Sequence, residues 1–483
     1  MNKFLSKKAT DYYAMGLFAA LFIAFVILSY LSDGSYIGGD TYVRYMLSKY
    51  AFHNPENLLY NWGKPIYIAI AVPFAQFGYN GFKLFNIISG FSTALLAYSI
   101  CRKLKFDNSW LVVLFVCFSP IFYMLMFTGM TEIFFGFIIM LSIYFIVKDK
   151  YILSAVVLSF LPIIRNEGVA IWILFIFLYS IRKRYKAIPF LLTGFLFYSI
   201  CGWFYYHDFW WLITQSPYKP GGVSIYGHGV WNFYFINLRL TLGIPLTILF
   251  VPGILAVVYE VFIKNKFKTL FKNNDLQIIV LVLAVFLCYF TMHSILWWKG
   301  WMSVLGDARF MAAVTPFAAI IGLKGFNALL YYLRKYKIII FTVSVLFSIL
   351  LIRTAQFFYE MPVHLQDTDP VVKDAALWIK NQHLDNNRIY YYDPFLPVVL
   401  DVNPFDQIKV VCFVQNYDKP QDGLKKGEII VWDSHFSPNE GNMPLNILKD
   451  NTKDFTLLNI FKPKNTFKVL GDHDYEIYIF QRN

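Results

Sequence analysis

The feature that most constrains this chain is a succession of apolar runs filling residues 11–355, separated only by short and mostly basic loops. A helix crossing a bilayer needs roughly 20 predominantly apolar residues, within a range of about 17–25. On that measure helices are expected near 12–31, 82–101, 109–127, 132–147, 151–165, 168–181, 187–206, 241–263, 276–296, 310–330 and 337–355, eleven in all. Only 15% of the 483 residues are charged, against about 25% in an ordinary soluble domain. The deficit falls in the apolar region, whereas residues 356–483 have ordinary polar composition. The expected fold is therefore a polytopic α-helical membrane protein (residues 1–355) followed by a small soluble α/β domain (residues 356–483).

Charge sets the expected topology. The net charge of +13 comes largely from Lys and Arg clustered in short loops, which is what membrane orientation requires and is no sign of nucleic-acid binding. Residues 65–79 are apolar but short, and Pro73 interrupts them. If they do not span, Lys3/Lys7/Lys8, Arg102-Lys103-Lys105, Lys148/Lys150, Arg182-Lys183-Arg184-Lys186, Lys264/Lys266/Lys268 and Arg334-Lys335-Lys337 share one side. If they did span, every later loop would invert against the N-terminal tail. Positive-inside bias therefore predicts a cytoplasmic N-terminus, interfacial helices within an outer loop 32–81, a long outer loop 207–240 and an extracytoplasmic C-terminal domain. The five cysteines show no paired or metal-type spacing and read as core residues. No small-residue cleavage site precedes Ser32, so the first helix is expected to be retained.

This topology collects the unusual polar residues on the outer side: Asp40, Arg44, Glu132, Arg165, Glu167, His207, Asp208, His228, His293, Lys299, Asp307 and Arg309. Asp40 follows two glycines in GGDTYVRY (38–45). It can act as a general base or a metal ligand at a membrane-edge cleft, or simply cap the helix that follows. Glu132 opens the fourth apolar run, where an intramembrane carboxylate is costly enough to suggest function, although the helix dipole alone favours an acid there. Arg165 and Glu167 in the RNEG turn (165–168) either pair with each other or present Arg165 to a phosphate. His228, between two glycines in an aromatic-rich loop, is a further candidate. Lys299 and Arg309 can neutralise a lipid phosphate, the guanidinium bidentately, though Lys299 also reads as a snorkelling anchor. In the tail, Asp369–Asn381 has helical spacing, and strands are expected at 388–392, 408–414, 428–432 and 475–480.

These motifs, in this order and on one side, resemble the GT-C superfamily of integral-membrane glycosyltransferases. The matching features are the acidic first outer loop (Asp40), the interfacial helices after it, a short second outer loop with a carboxylate (Glu132), the RNEG turn and GDARFM (306–311). The resemblance covers about residues 1–355. It departs from protein mannosyltransferases in having Asp-Thr instead of Asp-Glu in the first loop. It implies an inverting glycosyltransferase, hexosyl or pentosyl, that uses a polyprenyl-phosphate-linked sugar at the outer face of the inner cell membrane. Asp40 and Glu132 would be catalytic, with Arg165, Arg309, Lys299 and His228 facing the donor phosphate and Glu167 and Arg44 in support. The acceptor is a glycan, lipid or protein hydroxyl. No cofactor is implied with certainty, and a divalent cation stays open. The alternative from a different class is a transporter or flippase of a lipid-linked solute, for which an internal repeat is expected and none is found.

Overall fold

The computed structural model describes residues 7–217, 227–264, 267–302, 304–365 and 367–483. The chain divides into two compact units, Met1–Leu31 with Glu56–Pro362, and Ser32–Pro55 with Val363–Asn483.

The first unit is helical, and each apolar run expected to span is helical in it. Six helices among the described residues are long and apolar enough to cross a membrane: Ala14–Leu31, Gly78–Lys103, Tyr185–Tyr206, Gly243–Lys264, Asn274–Lys299 and Lys337–Phe358. The other runs give shorter pieces, and proline explains three of the breaks. Leu111–Cys117 is followed by a new helix starting at Pro120. Tyr151–Leu158 yields to Leu161–Ile164 at Pro162, and Ala308–Ala313 to Thr315–Leu329 at Pro316. Proline lacks the N–H that would continue the preceding helix but fits the first turn of the next. The helix Pro65–Ala75 has 11 residues, about 16 Å at 1.5 Å per residue, roughly half of a hydrocarbon core. It is too short to cross.

The second unit is a small α/β domain. Its strands are β1 (Ile389–Tyr391), β2 (Val410–Cys412), β3 (Ile429–Asp433), β4 (Phe455–Phe461), β5 (Lys468–Val469), β6 (His473–Asp474) and β7 (Ile477–Arg482). Five of them form a mixed sheet in the order β2-β1-β3-β7-β4, parallel through β3 and antiparallel beyond it. The core gathers Tyr392, Val411, Ile430, Trp432, Met443 and Phe480, and the Trp432 indole N–H donates to the Met443 carbonyl at 2.8 Å. The helix Asp369–Asn381 buries Val371, Val372, Ala375, Ala376 and Ile379.

The division differs from the expected boundary at 355/356 in two respects, the first being that the helical unit runs on to Pro362. Residues 32–55, assigned from sequence to the outer loop of the membrane region, group with the C-terminal segment. The reason is main-chain pairing: Gly34 N–H donates to the Val363 carbonyl at 3.1 Å, and Val363 N–H to Ser32 Oγ at 2.9 Å. Strand β4 is not among the expected strands because its side chains alternate poorly, with only Phe455 fully buried.

Candidate functional site

Within the helical unit, four of the expected charged residues converge through local structure that the sequence explains. Glu132 lies in the first turn of Thr131–Val147, whose N-cap is Met130, so the carboxylate meets the positive end of the helix dipole without capping it. Leu161–Ile164 ends at Arg165, which turns to extended backbone before Gly168 starts the next helix. This turn aims the guanidinium at two carboxylates. Arg165 Nη1 lies 2.7 Å from Glu132 Oε1, and Nη2 lies 2.9 Å from Glu167 Oε1. The pairing reading of the RNEG turn is the one present: the local Arg165–Glu167 pair exists and is extended by Glu132.

Asn274–Lys299 adds His293, fully buried, whose Nε2 lies 3.3 Å from Glu167 Oε1. Phe310 forms the floor. The His293 ring stacks on it at 5.1 Å, while the guanidinium carbons of Arg165 and Arg309 lie 5.0 and 5.4 Å from its centroid. Arg309 is held from its own turn, where Asp307 accepts from the Arg309 N–H at 2.8 Å and approaches its Nε at 3.3 Å. Gly136, one turn beyond Glu132, permits this proximity, because a Cβ there would lie 2.8 Å from the Ala313 carbonyl oxygen.

The cluster keeps several buried polar atoms with no hydrogen-bond partner among the described residues: Glu132 Oε2, Arg165 Nε, the hydroxyls of Tyr234 and Tyr289, and His293 Nδ1. Beside it, Trp231, Phe235, Phe250, Phe286, Phe290 and Trp298 help to line an apolar cavity of about 510 Å³.

The remaining candidates sit farther along. Lys299 ends its helix, roughly 9 Å in axial rise beyond His293, and its Nζ lies over the Trp298 ring at 3.9 Å. His228 is exposed and packs beside Gly300, while Gly229 N–H donates to the Trp297 carbonyl at 3.2 Å. Residues 218–226 of the expected loop 207–240 lie outside the described residues. Lys64 was missed from sequence. It is buried and holds φ at 70° just ahead of the helix Pro65–Ala75, a conformation that a non-glycine residue keeps only where its surroundings enforce it. His293 was visible as a polar residue inside an apolar run, but nothing in the sequence tied it to Glu167. Among the described residues, no three His, Cys, Asp or Glu side chains are grouped as metal ligands.

Asp40 belongs to the second unit. It occupies the third position of the helix Gly38–Lys49, whose N-cap is Ile37 with no side-chain capping bond. The helix-cap reading is thereby replaced. The Asp40 carboxylate is 32% exposed and lies 3.8 Å from Arg44 Nη1. Burial, and Asp40 as a neighbouring charge, raise the Glu440 carboxyl above its ordinary value.

No family model matches the chain, and no curated protein sequence matches it. Solved structures do. ArnT from Cupriavidus metallidurans bound to undecaprenyl phosphate superposes with a TM-score of 0.59 at 10% identity, covering 96% of this chain and 97% of that one. The apo state of the same protein gives a TM-score of 0.62 at 12% identity, covering 98% of each chain. At such identities the likeness speaks for the fold, and it extends over the C-terminal domain as well as the helical region. The chain shares the fold of ArnT over nearly its whole length.

Proposed function

We propose that this protein is an inverting glycosyltransferase that moves a sugar from a polyprenyl-phosphate donor to a hydroxyl acceptor at the outer face of the cell membrane. The observation that carries the reading is the juxtaposition of the Arg165–Glu132–Glu167–His293 network with Arg309 around Phe310. Fixed charge next to an aromatic-lined apolar cavity suits a donor that joins a phosphate to an isoprenoid chain. The undecaprenyl phosphate bound by a neighbour of the same fold supports it.

In this reading the Asp40 carboxylate takes the proton of the acceptor hydroxyl as that oxygen bonds to the anomeric carbon. The bond from the anomeric carbon to the phosphate oxygen breaks, and its electron pair leaves with the polyprenyl phosphate. Charge is conserved, since the carboxylate loses the negative charge that the phosphate gains. Preorganised cations lower the cost of that developing charge. Arg309 is the principal one, with Lys299 and His228 as further candidates. Both terminal nitrogens of Arg165 already face carboxylates, so its role is to hold Glu132 and Glu167 in register. Which sugar moves, and to which class of acceptor, is set by contacts beyond these residues.

The test uses the full-length protein in liposomes, a labelled polyprenyl-phosphate sugar and membrane-extracted acceptors, and follows release of polyprenyl phosphate. Asp40→Asn is expected to bind the donor lipid but release none; full release in that variant removes Asp40 from the reaction. Translocation of the labelled lipid with no covalent product would instead favour a flippase. Sidedness is read with Gln215→Cys in a Cys412→Ser background. Labelling of whole cells by an impermeant thiol reagent is expected, and protection would invert the topology.

A further inference from the structure

The turn that carries Asp40 is joined to the C-terminal segment by a buried polar contact. The Tyr42 hydroxyl donates to Asp369 Oδ2 at 2.5 Å, joining residues 327 positions apart. The Tyr42 ring stacks on Phe395 at 4.5 Å and folds back over the helix start, where a Cβ on Gly38 would lie 2.8 Å from it. Gly39 faces Phe436 and Pro394. Farther along the helix, Lys49 Nζ reaches Asp401 at 2.6 Å.

Anchoring by apolar burial alone would need no carboxylate. Phe395 already supplies the apolar stack, and burying the charged form of a side chain is costly. Asp369 bears that cost: burial raises its carboxyl to about 6, with Asp367 adding to the rise and the Tyr42 hydroxyl opposing it. What a hydrogen bond adds to a stack is direction. Residues two apart on a helix point about 200° away from each other, so fixing Tyr42 inward fixes the heading of Asp40 on the other side. The charged and titratable groups around the pair are Asp367, Asp393 and Tyr475.

We propose that Tyr42 and Asp369 are positioning residues for transfer: the C-terminal segment aims the Asp40 carboxylate through their hydrogen bond. The inference rests on Asp40 being the general base.

The experiment compares Tyr42→Phe, Asp369→Leu, Asp369→Asn and Asp40→Asn in the full-length protein, reading kcat, donor KM and thermal midpoint. Misplacing a catalytic group by about 1 Å costs up to about 100-fold in rate. Tyr42→Phe and Asp369→Leu are therefore expected to lower kcat by roughly 10- to 100-fold, with donor KM unchanged and the rate loss out of proportion to any shift in midpoint. Asp369→Asn, which keeps an acceptor oxygen, is expected to recover most of the rate. Tyr42→Phe keeps the ring stack, so it remains informative if Asp369→Leu fails to fold. Wild-type kcat in Tyr42→Phe, with Asp40→Asn inactive, overturns the positioning role and leaves the base intact. A loss that tracks the thermal midpoint across the variants also overturns it. Full transfer by Asp40→Asn overturns the parent reading instead.

Discussion

Arg165 and Glu132, 33 residues apart, meet at 2.7 Å with the Glu132 side chain fully buried. The pair joins two helices that the sequence only places on the same side of a membrane. A guanidinium whose terminal nitrogens face two carboxylates is a fixed structural hub, and its neighbours depend on it.

Removing one partner of such a buried pair leaves an uncompensated charge, at a cost of about 3–5 kcal/mol. Arg165→Met is expected to lower the thermal midpoint sharply, because it strands both Glu132 and Glu167. Adding Glu132→Gln to Arg165→Met should recover part of the loss. Additive single and double losses in a thermal double-mutant cycle would show that the pair does not couple.

Arg309 is the cation to which the proposed mechanism assigns most of the leaving-group charge. Arg309→Lys keeps the charge but loses the planar fork that binds phosphate bidentately. Losing one such stabilising donor costs roughly 100-fold in kcat. Steady-state release of polyprenyl phosphate checks this, and an unchanged rate would move the role to another cation.

Gly136 lets the Glu132 helix touch the Arg309 segment, since a Cβ there would stand 2.8 Å from the Ala313 carbonyl oxygen. Gly136→Val is expected to destabilise the helical unit by about 1–3 kcal/mol through overpacking and to lower transfer as well. A wild-type melt would mean that the two segments separate without cost.

The C-terminal unit should be more stable in mild acid. Burial raises Asp369 and Asp433 from an ordinary 3.8 to about 6, and lifts the adjacent Asp393 well above its usual range. A carboxyl with a raised folded-state pKa binds its proton more tightly folded than unfolded. Its stabilising contribution is fully present below about 3.8 and is lost as pH rises through about 6. Between pH 5 and 7.5 each of the two groups should remove on the order of 1–2 kcal/mol. Hydrogen exchange in β3, corrected for intrinsic rates, should show greater protection at pH 5. Asp433→Asn, whose amide oxygen can still accept from the His435 and Phe436 N–H groups as Asp433 does, should flatten the difference. Equal protection at both pH values would contradict it.

Much of the helical unit was legible because apolar runs of span length report directly on burial. The restarts at Pro120, Pro162 and Pro316 were not read, since each lies inside a run expected as one helix, and the helix Pro65–Ala75 continues through Pro73. The core strands of the tail were legible for a similar reason: β3 is buried along its whole length and reads as one apolar run. Strand β4 was not, since an edge strand with mixed exposure carries no clear period. Of the candidate site, Arg165, Glu132 and Arg309 were found as charges misplaced in apolar sequence. Outside that cluster, buried Lys64 escaped notice because a strained backbone angle has no sequence signature when the residue is not glycine.

By itself, the sequence determined the class of the molecule, the charged residues that the apolar segments tolerate, and the order of the motifs. Those properties follow from transfer free energy and periodicity, which act locally along the chain. Only the tertiary structure decided that His293 meets Glu167, that Phe310 is the floor shared by two arginines, and that the Asp40 helix is bound to Asp369. Such pairings depend on helix rotation and on contacts up to 327 residues apart, and local composition carries no information about either.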